Sequence, residues 1–177
     1  MLRITLAVAL MAFAVPAGGA QPPTPLAATV AKAVHADPQY GIFDNVTVEV
    51  DGTTAVLDGR VTSAAKRTRF GERAAQAPGI TGVRNGLAVL PASREDDELR
   101  RRIARSIYGH PAFWSHAARQ NPPIHILVEH GHVTLTGEVA TATEAALARS
   151  LAGGLGERSL TSRLEVRPPG SARSRLR

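Results

Sequence analysis

The stretch Val46–Val61 recurs at Ile124–Val139 without a gap. Displaced by 78 residues, Val46, Val48, Val50, Leu57, Gly59 and Val61 fall on Ile124, Ile126, Val128, Leu135, Gly137 and Val139. Each copy alternates apolar and polar residues, turns at a glycine (Gly52, Gly131) and alternates again to a second glycine (Gly59, Gly137). Period-two alternation on both sides of a glycine turn predicts a β-hairpin with one buried face. A chain of 177 residues carrying this hairpin twice is two small modules rather than one large domain. Units of this size lie near the lower limit for a self-sufficient core, so a shared interface is expected. Gly59 and Gly137, inside the second strand of each hairpin, should mark a bulge or the close approach of another backbone, with the following helix as the candidate.

The flanks of the hairpins complete each unit. Leu26, Val30, Ala33 and Val34 recur at helical spacing behind a capping Thr24, and Asp37–Pro38 ends that helix. Tyr40, Ile42 and Phe43 in the following link are expected to pack under the sheet. Ser63–Ala77 is predicted helical, with Ala64, Thr68 and Ala75 toward the sheet, and Pro78–Gly79 stops it before a third strand over 80–90. In the second copy Ser93 caps a helix with Glu95, Asp96 and Asp97 in its first turn, where the helix dipole favours acids. Leu99, Ile103 and Ile107 form its buried stripe, and Arg100, Arg101, Arg102 and Arg105 lie mostly on other faces. Helix 141–152 and strand 158–166 close the repeat. The expected fold is therefore α+β: two α-β-β-α-β modules (24–91 and 93–167), each a small three-stranded mixed sheet with two helices on one face and the other face at least partly wet. The second copy departs from the first by an insertion over 108–123, YGHPAFWSHAARQNPP, which carries the only tryptophan.

Composition narrows the functional classes. The absence of cysteine removes disulfides, thiolate catalysis and thiolate metal sites. With aromatics at 4% against 44% hydrophobic residues overall, the cores must be filled by Val, Ile, Leu and Ala. A formal charge of +6 suggests anionic partners. Residues 1–20 read as a cleavable secretory signal: Arg3, an apolar run over 4–15, and small residues that allow cleavage after Ala17 or Ala20. The expected location is the periplasm, with no segment of the mature chain spanning a membrane. Residues 168–177 read as a disordered basic tail.

Two copies of V-x-V-x-V, a turn glycine, L-x-G-x-V, a helix and a V-x-N-G-L-x-V strand resemble tandem BON domains, the modules of osmotically inducible periplasmic proteins and related envelope proteins. DDELRRRIARSIY and NPPIHILVEHGHVTLTGEV are also similar to a two-BON group of exported bacterial proteins. The resemblance covers about 26–166 and implies binding rather than catalysis. It implies association with phospholipid or a role in envelope integrity, and one lipoprotein branch contacts anionic lipid through the first helix of its second module. By position that helix is 95–108 here. This chain lacks the cysteine for lipid attachment and carries Ser162–Arg163 where the first copy has Asn85–Gly86, so its last strand is expected to enter differently.

The candidate membrane-facing residues are thus Arg100, Arg101, Arg105, Tyr108, Phe113 and Trp114, with arginine drawn to anionic headgroups and tryptophan suited to their boundary. The competing expectation places Phe113 and Trp114 in the second core. His110, His116, His125, His130 and His132 cluster in the second copy. A two-residue turn sets His132 opposite Glu129 and leaves His125 near Thr136, too far apart for a shared metal, so exposed strand and turn histidines are expected. No nucleophile motif or phosphate loop is present. The expected activity is that of a non-catalytic module on an anionic phospholipid surface, without cofactor or nucleic acid. The rival is a periplasmic adaptor docking an envelope protein through a sheet face or edge.

Overall fold

A computed structural model describes residues 24–119 and 121–167. The signal segment and the C-terminal tail inferred from sequence lie outside the described residues. The first module runs α1 (Pro25–His35), β1 (Asn45–Asp51), β2 (Thr54–Val61), α2 (Ala64–Ala75), β3 (Gly82–Asn85) and β4 (Ala88–Val89). The second runs α3 (Arg94–Tyr108), a 3-10 turn at Pro111–Phe113, α4 (Trp114–Ala117), β5 (Ile124–Glu129), β6 (His132–Val139), α5 (Ala142–Ala152) and β7 (Ser159–Val166). Each sheet is an antiparallel hairpin with a parallel third strand beside its second strand. Two helices pack on one face of each, as the repeat predicts.

Capping fixes where the helices begin. Thr24, Ser63, Ser93 and Thr141 each accept a hydrogen bond from the backbone three residues on, satisfying an otherwise orphaned amide. The stripe on α2 differs from expectation: Ala64, Thr68 and Ala75 are exposed, while Phe70 and Ala74 enter the core. The larger ring wins the inward position because it removes far more apolar area from water than alanine or threonine.

The two hairpin turns solve one problem differently. Both loops have two residues, Gly52–Thr53 and His130–Gly131. Gly52 alone has a positive φ in the first loop, the pattern of a II′ turn, whereas His130 (52°) and Gly131 (78°) are both positive, the pattern of I′. Shifting the glycine by one place changes the turn type while preserving strand register. Gly59 (φ 130°) and Gly137 (φ 110°) sit where the backbone entering the first strand of each hairpin crosses closest. A Cβ there would overlap the carbonyl oxygen of Asn45 or Pro123. The approaching backbone is that entry segment and not the following helix.

The third strands also differ. In the first module pairing to β2 lapses at Gly86–Leu87 and resumes in unchanged register, with Leu57 opposite Asn85 and Arg60 opposite Ala88. The Gly86 amide donates to Leu57 O (2.8 Å), Asn85 Oδ1 accepts from the Leu87 amide (3.2 Å), and Leu87 turns into the core. The second module has Ser162–Arg163 there, and β7 runs unbroken over eight residues. The different entry expected from that substitution is a continuous strand in place of a split one.

The modules meet through the link 40–44. Ile42 O accepts a hydrogen bond from the Ile126 amide (2.7 Å), Phe43 packs against the second core, and Tyr40 lies on His125 with ring centres 5.4 Å apart. His125, expected as an exposed strand histidine, is buried at this contact, and His116, within the insertion, is buried against Phe113. Burial holds the His125 imidazole below its ordinary pKa. Asp44 holds the link in shape. Fully buried, it accepts from the Gly41 amide (3.0 Å), the Thr62 amide (3.0 Å), the Thr62 hydroxyl (3.2 Å) and Lys66 Nζ (2.6 Å).

A second buried carboxylate, Asp37, receives Arg69 Nε (2.7 Å), Arg73 Nε (2.9 Å) and the Gln39 amide (2.9 Å). Burial pushes its pKa up, but these donors more than offset that and leave it at about 2. Because the folded pKa lies below the unfolded value of about 4, the stabilisation is complete above pH 4 and is lost as pH falls toward 2. Asp37→Asn should cost about 1–2 kcal/mol at neutral pH, reduced from the full linkage value because both arginines are partly solvated. Urea titrations of the two proteins should converge near pH 2, which checks the assignment.

Candidate membrane-facing site

α3 is fixed at both ends by groups that no local pattern reveals. At its start, buried Asp96 accepts from the His130 and Gly131 amides (both 2.8 Å), tying the helix N-terminus to the β5–β6 turn. At its end, the Tyr108 hydroxyl donates to Ile124 O (2.5 Å) and accepts from the Ile124 amide (3.1 Å), closing off the first residue of β5. Burial raises the Tyr108 pKa well above its ordinary value, so the phenol stays protonated. Tyr108→Phe leaves both Ile124 groups without that partner and should cost about 1–3 kcal/mol in a thermal or urea melt.

The helix divides its arginines into two sets. Arg100 is buried: Nη2 donates to Val128 O (2.6 Å) and Nη1 pairs with Asp97. It bridges α3 to β5 and is removed from the membrane-facing set, because its guanidinium is consumed inside the module. Phe113 is removed as well, being wholly buried in the second core, where its ring meets those of His110 and His116. Half-buried Tyr108 serves as the latch just described. Arg101, Arg102 and Arg105 are exposed. Arg102 was absent from the sequence-derived set; its place beside Arg101 and Arg105 on a helix whose stripe is Leu99–Ile103–Ile107 was the available signal.

Trp114 is 61% exposed, and its indole Nε1 donates to Gly109 O (3.1 Å). Gly109 caps α3, so the indole is held at the C-terminal end of the helix that carries Arg105 in its last turn. The competing placements divide: Phe113 is core and Trp114 is surface. The arrangement presents a fixed aromatic ring and an arginine-bearing helix face.

The remaining candidates fall elsewhere. His132 Nδ1 and Ser159 Oγ are 2.7 Å apart, and Glu129 stands opposite His132 as the turn length predicts. Among the described residues no group of three or more histidine, aspartate or glutamate side chains is placed to hold a metal. The open faces of the two sheets look onto a shared cleft of about 550 Å³ whose walls include Thr47, Asp58, Arg60, Glu129, Thr136 and Arg163. Arg60 and Glu129 approach to 3.7 Å across it, both partly solvated, so the pair contributes little stability.

The model of the BON domain matches residues 24–91 and again 95–168. The chain belongs to the BON-domain family. BON domains are envelope- or membrane-associated binding modules, generally without catalytic activity, and a tandem pair accounts for the duplicated fold. No curated protein matches this BON pair. Among solved structures it resembles CdsD, a structural protein of the type III secretion system of Chlamydia trachomatis, at 11% identity and a TM-score of 0.30, covering 81% of this chain and 94% of that one. It also resembles the C-terminal domain of CdsD, at 10% identity and a TM-score of 0.27, covering 77% and 96%. Among the described residues no helix is long and apolar enough to cross a membrane.

Proposed function

We propose that this BON pair is an exported, non-catalytic module that associates with anionic phospholipid through Trp114 and the exposed arginines of α3, supporting envelope integrity under stress. The observation that carries the reading is the fixed, exposed indole at the end of an arginine-bearing helix. A tryptophan left 61% in water is a poor use of a large apolar side chain unless it enters an interface. Arginines near an anionic surface add about 1 kcal/mol each, and an indole favours the headgroup boundary.

Co-sedimentation with vesicles of rising phosphatidylglycerol content tests this directly. Binding should rise with anionic lipid and fall with salt. Arg101/Arg102/Arg105→Ala should weaken it by roughly 10²-fold, following from about 3 kcal/mol. Because Trp114 is the only tryptophan, its emission should shift to the blue on binding. Failure to bind anionic vesicles at low salt would reject the lipid reading and favour docking to an envelope protein.

A further inference from the structure

Among the described residues, nothing pairs with the outer edge of the unbroken last strand of the second module. β7 pairs only with β6 among the described residues, and Thr161, Ser162, Arg163, Glu165 and Val166 are exposed. Folded proteins ordinarily protect such edges with proline, a bulge, a short strand or charged side chains. Within Ser159–Val166 there is no proline, bulge or break, and the two charges present, Arg163 and Glu165, are of opposite sign. The corresponding edge of the first module is protected, since its strand breaks at Gly86–Leu87. The opposite edge of the second sheet is partly occupied, because Ile42 O takes the Ile126 amide.

The backbone of β7 specifies which groups are free. The Arg167 amide donates inward to Val139 O (2.8 Å), so alternation turns the odd-numbered amides and carbonyls toward β6 and the even-numbered ones outward. Leu160 and Leu164 face the helices, which places Thr161, Arg163 and Glu165 on the other face. An antiparallel pairing of two β7 strands about Leu164 joins outward-facing groups, Leu164 to Leu164 and Ser162 to Val166. The same register sets Arg163 of each strand opposite Glu165 of the other, in the closer, non-hydrogen-bonded pairs where side chains interact most. Shifting the centre to Arg163 or Glu165 sets like charges face to face. The other long edge, β1, offers no such match, for pairing about Val48 sets Thr47 against Glu49.

From this juxtaposition of a free eight-residue edge and a self-complementary Arg163–Glu165 pattern, we infer that β7 pairs with β7 of a second copy, fusing two three-stranded sheets into one of six strands. Arg167, which pairs with Glu138 (2.5 Å) and approaches Glu165 (3.8 Å), flanks the seam and lies opposite Thr161 of the other copy. The inference is independent of lipid binding, because α3 and Trp114 lie outside β7.

Charge exchange tests it with the full chain. Light scattering behind size exclusion, run as a concentration series at low salt, should show a monomer–dimer equilibrium. Arg163→Glu alone and Glu165→Arg alone should each weaken dimerisation about tenfold or more, as like charges then oppose across the seam. The double variant Arg163→Glu/Glu165→Arg should restore it. Both residues are exposed, and unchanged circular dichroism confirms that each variant is folded. A wild-type chain that stays monomeric throughout the series overturns the inference. So does a dimer that both single variants leave intact, or one that the double variant fails to recover.

Discussion

Gly137→Val should unfold the second module at room temperature. The added Cβ would collide with the Pro123 carbonyl oxygen, and the backbone at φ 110° is one that a β-branched residue rarely adopts. Neither cost can relax cheaply, because the colliding atom is backbone that must remain close to enter β5 in register. The expected loss is about 4 kcal/mol or more, a large fraction of what a small domain has. Gly59→Val should do the same to the first module, where the obstacle is the Asn45 carbonyl. Gly52→Ala is the control: nothing lies within 4 Å of the added atom, so only the φ of 61° counts against it. That change should cost about 1–2 kcal/mol. Urea denaturation followed by circular dichroism separates these outcomes.

Asp44→Ala has the next largest expected effect, about 3–5 kcal/mol. It strands the Gly41 amide, the Thr62 amide and hydroxyl, and a Lys66 ammonium that is itself mostly buried. Lys66→Met should be milder, because the carboxylate keeps three neutral donors. Asp44 shapes the link that carries Ile42 and Phe43, so the damage should reach the other module. Hydrogen exchange at the Ile126 amide, whose acceptor is Ile42 O, should accelerate in Asp44→Ala even when denaturant is absent. An unchanged Ile126 rate would confine the role of Asp44 to the first module.

The features legible in sequence are those written in short-range pattern. Alternation about a glycine located both hairpins, and hydroxyl residues before apolar periodicity located the caps at Thr24 and Ser93. The substitution of Asn85–Gly86 by Ser162–Arg163 pointed to the strand that differs. What escaped depends on partners distant in the chain. Arg100 reads as one more solvated arginine until Val128 O is found within 2.6 Å of it. Asp96 reads as a dipole-matching acid until two turn amides from His130 and Gly131 settle on it. His125 shows polar alternation on a strand, and the approach of Tyr40 and the link after it from the other module makes it an interior residue. On α2, the expected inward set was Ala64, Thr68 and Ala75, whereas Phe70 and Ala74 took the space. The candidate site was half legible for the same reason. Trp114 and Phe113 are adjacent in a polar insertion, and a pattern read along the chain does not distinguish which of two neighbouring rings turns inward.

Phe43 has one further consequence. By sequence it belongs to the copy that leaves the ribosome first, yet its ring rests among the residues of the copy that follows. The earlier half must therefore wait with an apolar knob uncovered, and the later half is finished only when it receives a side chain it does not encode. Severed between the repeats, the gene would yield one fragment with a sticky protrusion and another with a gap, so for this chain the duplication made two folds but not two independent proteins.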